Sequence, residues 1–86
     1  MSEPQLIPVF IPPLVSLLLH AERAKGSPLT EREVLDIRNK GVCMMMSLEH
    51  AKELAKKRGY DDLNPERVWV EWQHARVQIG KNRDGL

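Results

Sequence analysis

The stretch "VCMMMSLEH", residues 42–50, places three methionines after the chain's only cysteine and ahead of a helix-start serine. Read as helix, successive side chains step by about 100°, so Met44, Met45 and Met46 fan over roughly 200° and cannot all face one core. The outermost must meet solvent or another chain, so this stretch separates a closed monomer from half of an assembly. Upstream residues favour helix. Thr30 followed by Glu33 forms a capping box, and Leu29 is placed to staple onto Val34, which starts a helix at 30. Val34, Ile37 and Gly41 fall on one face of it, and Leu35, Val42 and Met46 on a second. Gly41 costs such a helix about 1 kcal/mol relative to alanine and marks a kink or a close crossing.

Downstream, Ser47 caps a third helix whose apolar stripe is Leu48, Ala51, Leu54 and Ala55, with Glu49, Lys52, Glu53, Lys56 and Lys57 outside. Gly59 ends it, with Tyr60 folding back on Leu54 or Ala55 as in a Schellman motif. Asn64 as cap, Pro65 at the first helical position, Glu66 in the first turn and a Leu63–Val68 staple start helix four. Val68, Trp72, Ala75 and Ile79 line one face of it, Trp69 sits beside that face, and Gly80 is the expected stop, leaving 81–86 as a flexible polar tail.

Toward the amino terminus, prolines 4, 8, 12 and 13 fix φ and remove amide donors, so residues 1–12 read as an extended arm whose Val9, Phe10 and Ile11 dock on the body. Helix one follows over 13–25, apolar nearly all round at Leu14, Val15, Leu17, Leu18 and Leu19, with Arg23 and Lys25 in its last turn before Gly26. No segment alternates with the period of a strand, and there is no internal repeat or low-complexity run. The expected fold is all-α: one domain over 1–86, a small bundle of about four helices preceded by a Pro-rich arm.

An 86-residue chain buries only about 60 to 65% of its unfolded surface, so its core is thin. Thirteen basic and twelve acidic residues leave a net charge of +1, which gives no field to attract nucleic acid, acidic lipid or an anionic substrate. A single cysteine cannot form an internal disulfide, and a secreted domain this small would ordinarily carry several, so a cytoplasmic location is expected. The apolar run "LIPVFIPPLVSLLL" (6–19) lacks a basic flank and a small-residue cleavage site, falls short of the roughly 20 residues a span needs, and is interrupted by prolines. It reads as core, with no membrane association.

Chemistry-bearing motifs are sparse. His20, His50, His74 and Cys43 lie on separate predicted elements with no short ligand spacing, so no metal site is expected. "DDLNPE" (61–66) is dense in oxygen ligands, but an EF-hand loop needs a glycine at its sixth position and a glutamate at its twelfth. Counted from Asp62 these are Arg67 and Gln73, and from Asp61 they are Glu66 and Trp72, so helix capping explains the cluster. Cys43 has apolar neighbours that leave a thiol inert, and it reads as buried packing. No phosphate loop, nucleophile elbow or zinc-protease motif is present. The expectation is a protein with no enzymatic activity and no cofactor.

What remains is surface. Helices two and three offer a helix-turn-helix reading in which Lys52, Lys56, Lys57 and Arg58 would meet nucleic acid, but Glu49 and Glu53 compensate them and few charges remain for phosphate. A solvated face with internal ion pairs is the plainer account, and nucleic acid is disfavoured. The apolar residues, in contrast, exceed what four short helices can enclose. A monomer would leave several hundred Å² exposed, enough to mark an interaction site, and two-fold self-association is the commonest cover. Methionine suits adaptable contacts and tryptophan anchors them. The expected function is a homodimeric adaptor, regulator or inhibitor that binds another protein, with Phe10, Leu18, Met44, Met45, Met46 and Trp69 at the interface.

Overall fold

The structure, a computed structural model, describes the backbone of residues 5–84 and the side chains of residues 5–79. Its elements run β1 (Leu6–Phe10), α1 (Leu14–Lys25), α2 (Glu31–Lys40), β2 (Cys43–Ser47), α3 (Leu48–Arg58), a 3₁₀ turn (Pro65–Arg67) and α4 (Val68–Asp84). Among the described residues four helices are present as expected, but β1 and β2 pair antiparallel, so the fold is α+β and not all-α. The pairing sets Leu6 opposite Ser47, Ile7 opposite Met46, Pro8 opposite Met45, Val9 opposite Met44 and Phe10 opposite Cys43.

Both halves of that correction have a physical cause. Gly41 leaves α2 with extended backbone (φ −65°, ψ 148°), and its missing side chain makes room for Phe10: a Cβ there would lie 2.9 Å from two ring carbons. The close approach foreseen at Gly41 is thus to an aromatic ring, and the helix ends at Lys40 without running on through Met46. Methionine favours helix, yet propensity is a weak prior that tertiary pairing overrides. A short apolar run between a glycine and a capping serine is equally a strand pattern.

The supposed irregular arm is a strand because its proline sits where a strand tolerates one. Ile11 N–H donates to the Val42 carbonyl at 3.0 Å, which continues the ladder one step past Phe10. Bonding groups alternate along an antiparallel strand, so Ile7, Val9 and Ile11 bond toward β2 while Leu6, Pro8 and Phe10 direct theirs to the outer edge. Pro8 therefore costs no ladder bond. The part of the arm at residues 1–4 lies outside the described residues.

The core is Phe10, Leu14, Leu18, Leu29, Val34, Val68 and Trp72, contributed by β1, α1, α2, α4 and the turn before α2. The α2 start is built as its sequence prescribes, with both capping-box bonds made between Thr30 and Glu33, and Leu29 and Val34 buried together. By contrast α1 has no local cap: Pro13 precedes it and offers no side-chain acceptor. Asp62 supplies it from 48 residues away, accepting from Leu14 N–H at 2.7 Å and Val15 N–H at 2.9 Å. The same carboxylate also accepts from Leu63 N–H at 2.8 Å. The acid-rich 61–66 stretch therefore caps two helices, because Asn64 also accepts from Glu66 N–H at 3.0 Å ahead of α4. Helix α4 passes through Gly80 to Asp84, beyond the stop expected there.

Helix α3 has no buried residue and packs on β1 and β2. Gly59, at φ +85°, ends it in a left-handed turn that only glycine adopts freely. Tyr60 N–H returns to the Ala55 carbonyl at 3.2 Å, the bond that defines a Schellman motif. The molecule is thus a helical layer of α1, α2 and α4 joined to a smaller layer of β1, β2 and α3.

Candidate partner-docking surface

Ladder parity also fixes the far side of the sheet. Since Val42, Met44 and Met46 bond toward β1, the backbone N–H and C=O groups of Cys43 and Met45, and the N–H of Ser47, point away from it. Among the described residues nothing hydrogen-bonds to these groups of Cys43 or Met45. The two edges of the sheet are accordingly unequal. On β1, Pro8 removes one donor, and Arg58 from α3 covers the Phe10 carbonyl at 3.2 Å. On β2 there is no proline and, among the described residues, no side chain that hydrogen-bonds to the edge, and residues 41–48 carry no charge. Proteins ordinarily guard an edge strand with prolines, lysines or a covering element, because its free groups form a template for another strand.

The side chains around that edge are apolar and exposed: Val42 71%, Met44 58%, Met45 52% and Leu48 54%. Leu6 and Ile11 are exposed beside them, and Met46 is half-buried. Leu6, Ile11, the three methionines and Leu54, together with Ser47, His50, Glu53 and Lys57, line a groove of about 600 Å³ that opens broadly to solvent. An open trough differs from the enclosed pocket that a small ligand needs. It is suited to a second polypeptide.

The remaining candidates are placed as follows. Phe10 and Leu18, expected at an interface, are only 8% and 0% exposed and belong to the chain's own core. Trp69 is half-buried against that core, beside the fully buried Trp72. Cys43, expected to be buried, is exposed, because it opens an edge strand and is not inside a helix pair. His20, His50 and His74 are exposed on α1, α3 and α4, and among the described residues no three His, Cys, Asp or Glu side chains form a metal-binding group.

Of the basic cluster, Lys52, Lys56 and Lys57 are exposed, while Arg58 is half-buried and engaged on the Phe10 carbonyl. A strand separates α2 from α3 where a helix-turn-helix would have a short turn, so α3 is not presented as a recognition helix. No helix among the described residues is long and apolar enough to cross a membrane.

Sequence reasoning missed the residues that make the edge what it is. A helical reading puts Val42 and Leu48 on buried helix faces, whereas both are exposed, and the outward backbone groups of Cys43 and Met45 exist only once the strand is paired. The one clue in the sequence is Pro8 inside the apolar run of residues 6–11, since a proline inside a β-forming run marks an edge strand. The chain shows no significant match to any protein-family model, curated protein or solved structure, so the surface is read from its own residues.

Proposed function

We propose that this chain is a small non-enzymatic interaction module that docks a protein chain along β2, in the role of an adaptor, regulator or inhibitor. The observation that carries the proposal is the unguarded edge: free backbone groups at Cys43 and Met45, flanked by exposed Val42, Met44, Met45 and Leu48. Backbone pairing supplies affinity in strand addition, and alternate side chains supply selectivity. Thioethers that can repack support contact with a partner surface of varied shape.

A photo-crosslinking side chain placed at Met44 or Leu48, in cells that make the protein, tests this. The expected result is a discrete adduct from these positions and none from Arg32 or Lys56, which are exposed on other faces. No adduct from 44 and 48, or the same adducts from all four positions, would overturn the proposal.

A further inference from the structure

Residues 42–61 join the molecule differently from the rest of the chain. Among the described residues, the buried core and the half-buried apolar side chains packed on it all lie outside this segment. We infer that β2 and α3 form a cover that opens as one unit and bares the inner edge of β1, while α1, α2 and α4 stay folded. Closed, β2 occupies the backbone groups of Ile7, Val9 and Ile11; open, it leaves them free as a template for another strand.

The hold on this segment is slight. Helix α3 contributes no buried side chain, and it rests on the sheet with a cleft along each flank. One cleft, of about 340 Å³, lies between α3 and Ile7, Val9 and Leu63; the other is the methionine groove. Among the described residues, the side chains of 42–61 make one hydrogen bond to the rest of the chain, from Arg58 to the Phe10 carbonyl. Neither element of the segment is stable without the other. A two-stranded sheet with no helix packed on it is marginal in water, and so is a lone helix of 11 residues. Loss of α3 therefore takes β2 with it. Few buried apolar contacts are the mark of a segment that opens at less than the global unfolding free energy.

Both ends of the segment are pinned, and this confines the opening. On one side Gly41 is seated against the Phe10 ring, which belongs to the core and keeps β1 attached to the helical layer. On the other, Asp62 is bonded to the Leu14 and Val15 amides at the start of α1. Residues between these two points can leave β1 without displacing either.

Hydrogen exchange of the intact chain, followed amide by amide by NMR in low concentrations of urea, tests this. The slowest amides of 43–58 are expected to exchange together, roughly 100-fold or more faster than the slowest amides of α1 and α4. Leu19 packs on the core between α1 and α4, and its contacts persist when the cover opens. Leu19→Ala is therefore expected to speed exchange in α1 and α4 roughly tenfold and leave 43–58 unchanged. Arg58→Ala removes a bond that is broken in local and global opening alike, so it should speed exchange roughly tenfold in both regions. Equally slow amides in α3 and in α1 and α4, or a Leu19→Ala effect that reaches 43–58 in full, would reveal a single cooperative unit and overturn the inference. Ladder amides of β2 that stay protected while α3 exchanges, or no response of 43–58 to Arg58→Ala, would overturn it as well.

Discussion

Replacing Asp62 by alanine removes the side-chain cap that the described residues give α1, a helix that supplies two of the fully buried core residues, Leu14 and Leu18. The carboxylate accepts from Leu14, Val15 and Leu63 amides at 2.7 to 2.9 Å. Losing an N-cap costs about 1–2 kcal/mol, and losing a negative charge at the positive end of the helix adds about 0.3–1 kcal/mol. All three amides lose this acceptor, so the total is about 2–3 kcal/mol. An 86-residue domain has about 4–13 kcal/mol in all, so this is a large share, equivalent to a fall of roughly 10–20 °C in Tm. Urea unfolding followed by tryptophan fluorescence reports it directly, since Trp72 is only 1% exposed and changes environment on unfolding. Asp61→Ala, at the exposed neighbour, is the control and should stay within about 0.5 kcal/mol of wild type. Asp62→Asn keeps one acceptor oxygen and should fall between. If Asp62→Ala proves no worse than Asp61→Ala, the remote cap contributes nothing and the account of α1 given above is wrong.

Two further outcomes follow from local geometry. Gly41→Ala places a Cβ about 2.9 Å from the Phe10 ring, and because that ring is in the core the overpacking should cost about 1–3 kcal/mol in urea titration; a neutral result would show that Phe10 shifts freely. The Glu33 carboxyl is held down to about 2 from 4.5, first by the hydrogen bond from Lys25 and then by the Thr30 backbone N–H. A lowered folded-state pKa contributes stability above the unfolded value and loses it as pH falls toward the folded one. Wild type and Glu33→Gln should therefore converge in stability between pH 4.5 and about 2, and a difference unchanged across that window would refute the pairing.

Much of the helical framework was legible because its signals are local. Thr30 and Glu33, Ser47, and Gly59 with Tyr60 act within a few residues of themselves and make the expected caps, and Asn64 with Pro65 caps a 3₁₀ turn ahead of α4, which begins three residues later than expected, at Val68. What was not legible depends on residues far apart in the chain. Nothing near Met45 announces that Pro8 lies opposite it, and nothing near Leu14 announces Asp62. The Met44–Met46 run was recognised as surplus apolar surface, but its conversion to strand required Phe10 to occupy the space beside Gly41. Sequence alone does not distinguish an apolar residue enclosed by its own chain from one that meets a partner, which is why Phe10 and Leu18 prove to be core and not interface.

Phe10 belongs to both halves of the molecule. Its ring sits in the helical core, its carbonyl holds Arg58, and its backbone stands opposite Cys43 on the strand proposed to receive a partner. A chain that grips β2 therefore also clamps the packing of α1 and α2, and resistance to heat should rise with occupancy of the edge. The melting curve of the helices thereby becomes a gauge of what is happening at the sheet.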